Sequence, residues 1–215
     1  MGKLKIGAMG TNIGKIGNTV SYPLNGEIIT RMIGVRTGSS VLQNEVQERT
    51  ALLNEFKKPI DEFIRIGLKI NPKRKKGWSW YNDFMSINNP QAIAGIYPDL
   101  EINYEKIVLA KGNIPVPLNS KVTLNNSILN FSWEADLEIK GTDEGDQIMC
   151  IAYFPEILQA FTVLSGAKRG AEEQTIQLPS FTRKMVIETY MCFISDDRKR
   201  ISNSLYTGQL IWDKK

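Results

Sequence analysis

The run Met185-Val186-Ile187-Glu188-Thr189-Tyr190-Met191-Cys192-Phe193-Ile194 is the most informative in the chain. At the two-residue period of a strand, Val186, Tyr190, Cys192 and Ile194 fall on one face and Met185, Ile187, Met191 and Phe193 on the other. Both faces are largely apolar. Gln147 to Phe154 repeats the pattern, with Ile148, Cys150, Ala152 and Phe154 opposite Met149, Ile151 and Tyr153. By contrast, Leu129 to Trp133 alternates cleanly, with Leu129, Phe131 and Trp133 inward and Asn130 and Ser132 outward, as expected of a sheet with one wet face. Glu101 to Leu109, Phe161 to Leu164, Thr175 to Leu178 and Leu205 to Trp212 complete about seven strand-like runs separated by Gly, Pro, Asn and Asp clusters, the spacing of a β-sandwich. A sandwich with two doubly apolar strands needs cover on an outer face, from its own helices or from another subunit. Its own helices are the expected cover, because amphipathic segments are available upstream.

Those segments lie between residues 39 and 100. Ser40 with Gln43 forms a capping-box pattern, and Val41, Leu42, Val46, Leu52, Leu53 and Phe56 recur at near-helical spacing. Pro59 breaks the run and is placed in the first turn of a second helix whose buried stripe is Ile60, Phe63, Ile64 and Leu68. A basic linker, Pro72 to Gly77, leads into Trp78-Ser79-Trp80-Tyr81-Asn82-Asp83-Phe84-Met85 and a short third helix over 80–88, ended by Asn89-Pro90. Residues 1–38 are punctuated by glycines. Within them Thr19 to Met32 reads as a hairpin turning at Asn25-Gly26, and Pro23, which lacks a ladder donor, places that hairpin at a sheet edge. The expected architecture is α+β: a β-hairpin arm over 1–38, a helical segment over 39–100 and a sandwich over 101–215.

Among 215 residues there is no histidine, which removes Ser-His-Asp and Cys-His catalysis, histidine metal ligation and a histidine pH switch. The net charge of +4 is too small to suggest a dedicated nucleic-acid binder. Cys150 and Cys192 sit in apolar strands without C-x-x-C spacing and read as buried thiols. The N-terminus lacks a signal-peptide h-region and no run approaches a membrane span, so synthesis in a cytoplasm without membrane insertion is expected. Gly10-Thr11-Asn12-Ile13-Gly14-Lys15 fails the P-loop spacing, and Ile16 occupies the place of its Ser or Thr. Ser165-Gly166-Ala167-Lys168 matches S-x-x-K without the companion motifs. Gly141 to Asp146 is acidic but lacks alternating calcium ligands and reads as a solvated turn. No catalytic residue, cofactor site or metal site is expected.

Lys73, Arg74, Trp78, Trp80 and Tyr81 combine charge with aromatic surface. They fit a solvated loop followed by core aromatics, a protein contact, or a single-stranded nucleic acid, in that order. With Tyr22 and Ile28 of the arm and Met149 and Met191 of the doubly apolar strands, they form the candidate interface set.

Two resemblances extend this reading. Over roughly 113–215 the chain resembles a fibronectin type III, immunoglobulin-like sandwich: Trp133 on the second strand, Leu178-Pro179 before the penultimate strand, Tyr190 at that family's strand tyrosine, and Ser202-Asn203-Ser204 opening the last strand. Over nearly its full length it resembles an uncharacterised family of about 200-residue proteins of Bacteroidota and crAss-like phages. The residues that carry this are Gly7-x-x-Gly10 with Gly14-Lys15-Ile16-Gly17-Asn18-Thr19-Val20, Phe63-Ile64-Arg65-Ile66-Gly67, Ile93 to Asp99 and Ser202 to Gly208. The resemblance implies a virion component, made in the bacterial host cytoplasm and assembled into a collar, neck ring or tail. Its partners would be copies of itself and neighbouring virion proteins, and its role that of a non-enzymatic homo-oligomeric ring. The reading from another class is a carbohydrate- or protein-binding module on a virion or cell surface, using the sandwich loops or Trp78 to Tyr81.

Overall fold

The structure, a computed structural model, describes residues 2–4 by their backbone and residues 12–35 and 38–213 in full. Two compact units divide the chain, Met1–Val41 and Leu42–Lys215.

The first unit is one antiparallel sheet of β1 (Gly2–Leu4), β2 (Gly14–Ile16), β3 (Thr19–Leu24) and β4 (Glu27–Met32), in the order β1-β4-β3-β2. Leu24 pairs with Glu27, and both residues between them have positive φ, Asn25 at 52° and Gly26 at 81°, so the expected two-residue turn is present. The hairpin is flanked on both sides rather than lying at an edge. Pro23 is tolerated because β2 pairs only as far as Gly14 with Ser21, leaving the flank beside Pro23 without a ladder partner.

In the second unit, α1 (Val41–Lys57) leads through a 3-10 turn holding Pro59 into α2 (Asp61–Lys69), and α3 spans Trp80–Gln91. The whole α2 stripe of Ile60, Phe63, Ile64 and Leu68 is buried, as are Leu53 and Phe56. Val41, Leu42 and Val46 are exposed, because the buried cluster takes its first α1 side chain at Leu53. Helix α3 continues past Asn89 and contains Pro90, whose missing N–H costs a single bond in the last turn while Ala92 N–H still reaches the Asn88 carbonyl at 2.8 Å.

The expected strand over 101–109 is replaced by a hairpin, β5 (Ile93–Ile96) with β6 (Asp99–Ile102), and a 3-10 turn at Tyr104–Lys106. Beyond it the side-chain amide of Asn88 substitutes for a neighbouring strand: Val108 N–H donates to Asn88 Oδ1 at 2.8 Å, and Asn88 Nδ2 donates to the carbonyls of Val108 and Phe84 at 2.9 and 3.0 Å. Buried backbone groups are satisfied without a ladder.

The sandwich strands are β7 (Leu118–Asn125), β8 (Ile128–Glu134), β9 (Gln147–Phe154), β10 (Gln159–Val163), β11 (Glu173–Gln177), β12 (Met185–Ile194) and β13 (Leu205–Trp212). They form two antiparallel sheets, β11-β8-β7 and β10-β9-β12-β13. Residues of β8 and β11 share one hydrophobic cluster with Ile148, Cys150, Phe154, Ile187, Met191 and Phe193, which fill the space between the sheets. On the other face of β9 and β12, Met149, Ile151, Tyr153, Tyr190, Cys192 and Ile194 share a second cluster with Phe56, Phe63, Ile64 and Phe84. The chain's own helices therefore cover the second face of this sheet, and the unit has three layers with β9 and β12 at its centre.

Candidate functional site

Met149 and Met191 leave the interface set: both are fully buried, Met149 beneath the helices and Met191 between the sheets. Cys150 and Cys192 are free thiols on opposite faces of the same sheet, and burial pushes both thiols well above their ordinary range, so neither is an available nucleophile. Tyr190 also points into the helical layer, where its hydroxyl donates to the Tyr104 carbonyl at 2.8 Å.

The basic and aromatic residues are brought together by local turns. Arg74 N–H donates to the Asn71 carbonyl and Trp78 N–H to the Lys75 carbonyl, which folds the linker back, and Ser79 caps α3 by accepting from Asn82 N–H at 3.3 Å. Lys73 and Arg74 are exposed, while Trp78, Trp80 and Tyr81 are half-buried. Lys75 lies 4.4 Å from the Trp78 ring centre, and Lys57, ion-paired to Asp61, lies 5.2 and 5.7 Å from those of Trp80 and Tyr81. The aromatic faces already hold the protein's own cations, and Trp80 packs against the helical core.

In the arm, Tyr22 and Ile28 are half-buried and lie on opposite faces, since Tyr22 pairs with Ile29 and Ile28 with Pro23. Ile28 shares its face with exposed Ile16 and Met32, which flank Thr19 in one cross-strand row. Gly14 opens β2 and Gly17 turns β2 into β3, so Lys15 stands on a strand and not at the start of a helix. Gly10 and Thr11 of that motif lie outside the described residues.

Ser165 to Lys168 lies alongside β9, with Gly166 N–H donating to the Ile148 carbonyl, Ile148 N–H to the Ala167 carbonyl, and the Ser165 hydroxyl to Gln147. The acidic loop is not simply solvated. Asp146 is buried, and its Oδ2 lies 3.6 Å from Nε of Arg169, which is itself completely buried. Arg169 Nη2 donates to the Pro115 carbonyl at 2.8 Å, and its guanidinium sits 4.2 Å from the Phe193 ring centre.

Sequence reading also missed an open cleft of about 640 Å³ at one end of the sandwich, lined by Leu124 to Ser127, Ser180, Phe181 and Ile211 to Asp213. Its residues come from three separated segments and carry no motif; only the Asn125-Asn126-Ser127 turn signal was visible in the sequence.

A family model matches residues 5–208. The chain belongs to the family of unknown function DUF6266. No curated protein and no solved structure matches it. Among the described residues of this DUF6266 chain, no three Cys, Asp or Glu side chains come together as metal ligands, and no helix is long and apolar enough to cross a membrane.

Proposed function

We propose that this DUF6266 chain is a non-enzymatic assembly protein that forms a homo-oligomeric ring in a phage portal, collar and tail connector, with the N-terminal sheet as its contact element. The observation that carries the reading is the make-up of that sheet. Among the described residues of the arm, Ile29 is the one buried apolar side chain. Three of its strands expose Ile16, Leu24 and Met32, with Ile33 and Val35 following. A single-layer sheet needs a packed face to be stable, and exposed apolar rows on such a sheet mark a contact with another chain. The phage setting comes from the resemblance of the glycine opening and the Tyr97-Pro98-Asp99 and Ser202 to Gly208 segments. Seven antiparallel strands in sheets of three and four, with Trp133 edge-on to Phe193 at 5.4 Å, support a fibronectin type III or immunoglobulin-like sandwich. The inward turn of Tyr190 toward the helices is a departure from that family.

Native mass across concentration tests the reading, together with the presence of the protein in purified particles. The wild-type chain is expected as a closed ring of fixed copy number. The double variant Ile16→Ser/Met32→Ser, which removes exposed apolar groups from one arm face, is expected to run as a monomer with unchanged thermal unfolding of the main unit. A wild-type monomer at all concentrations, missing from particles, overturns the proposal.

A further inference from the structure

We propose that the cleft at the end of the sandwich is a binding site for a neutral carbohydrate. Its wall is made by the β7–β8 turn, the irregular segment before β12 and the end of β13. The turn is itself tied down: Ser127's carbonyl accepts from Leu178 N–H at 2.8 Å and from Gln177 Nε2 at 3.2 Å. The side chains of Asn125, Asn126, Ser180 and Asp213 lie at this rim, all four exposed and without a side-chain hydrogen bond among the described residues. Amides and a hydroxyl that both donate and accept, beside one carboxylate that accepts twice, form a set suited to adjacent sugar hydroxyls.

The apolar part of the wall combines the aromatic Phe181 and Trp212 with the aliphatic Leu124 and Ile211. Phe181 is half-buried and stands edge-on to Trp212, ring centres 5.5 Å apart. Trp212 is 5% exposed, and its buried indole N–H has no acceptor among the described residues. The volume, about 640 Å³, is in the range of small-ligand sites. Among the described residues no basic side chain lines the cleft and Asp213 is its one charged group, so the described lining offers a phosphate no cation. The site is remote in sequence from the arm residues of the assembly reading, and either proposal can fail without the other.

Calorimetric titration of the full chain with glucose, mannose, galactose, N-acetylglucosamine and their disaccharides tests the site, with light scattering run on the same samples. Saturable heat is expected for at least one sugar and none for glycerol. Asp213→Ala and Asn126→Gly are expected to weaken it about tenfold each, the effect of losing one good hydrogen bond to a charged or buried partner. Glycine keeps the left-handed backbone that Asn126 adopts at φ 53°, so that variant removes the amide and preserves the turn. Absence of saturable heat across the panel overturns the proposal. So does sugar binding that survives both variants and is lost on Trp78→Ala, and so does binding of a lysine-rich peptide, lost on Asp213→Ala, where no sugar binds.

Discussion

Among the described residues Arg169 is the largest fully buried side chain, and only one of its guanidinium nitrogens has a hydrogen-bonded partner there. Burial pushes its guanidinium down and the carboxyl of Asp146 up, so each group is disfavoured as an ion and the pair persists through mutual attraction. Burying two charges often costs more than their attraction returns, whereas removing one partner strands the other. Asp146→Ala is therefore expected to destabilise the fold by about 3–5 kcal/mol, and the double variant Arg169→Met/Asp146→Leu by much less. Chemical denaturation of the two variants checks this; equal losses would show that the pair is not coupled. Nothing in Lys168-Arg169-Gly170 or in the acidic loop distinguished these two residues from solvated ones. Their burial is set by where the loops close over the end of the sandwich, a tertiary fact that no local pattern records.

At the scale of elements, legibility followed the strength of the alternation. Strands β9 and β12 were readable end to end because every position is apolar or nearly so, and that same feature required a covering layer. Strand β7 was missed: only Val122 and Leu124 pack inward, among Asn119, Ser120, Lys121, Thr123 and Asn125. The run 101–109 misled because only Glu101 and Ile102 pair in a strand, β6, while Ile107 and Leu109 are buried beside a Val108 whose backbone is held by Asn88. Helix α2 shows a different constraint. A Cβ at Gly67 would lie 2.4 Å from the Leu109 carbonyl oxygen and 2.9 Å from the Ala110 Cβ, and Gly67's own carbonyl accepts from Lys111 N–H. Alanine in a helix is favoured over glycine by about 1 kcal/mol, but a backbone clash in a packed contact costs about 1–3 kcal/mol. Gly67→Ala is thus expected to lower thermal stability despite its higher helix propensity. A raised melting temperature would mean that the 107–111 segment yields easily.

For the whole molecule, the contact between helices and central sheet is where stability is coupled to pH. Tyr104, Tyr153, Tyr190 and Tyr206, four of the seven tyrosines, gather there, with Phe56 packed 4.8 Å from Tyr153 and Tyr190 5.4 Å from Tyr206. Glu188 is buried among them, and its carboxylate accepts from the Tyr206 hydroxyl and from Gln209 Nε2, each at 2.7 Å. Burial first, and then the Glu188 charge, raises the Tyr104 hydroxyl to about 12; burial raises Tyr153, Tyr190 and Tyr206 further. In the unfolded chain all four ionise near the ordinary value of about 10. A raised folded value means that the native state keeps protons the unfolded chain would release. Their contribution is therefore complete below about pH 10 and declines as pH rises from there through the folded values. Tyr153 and Tyr190 are fully buried where helices meet sheet, so their ionisation is expected to accompany separation of the two layers. In an alkaline titration, the tyrosinate absorbance of these four residues is expected to appear in one cooperative step together with loss of helical circular dichroism. Tyr206→Phe removes the hydroxyl partner of Glu188 and leaves that carboxylate with one donor, so the step is expected at lower pH in the variant. Gradual ionisation of all seven tyrosines with the helical signal intact would mean that the helical layer opens without unfolding the sandwich.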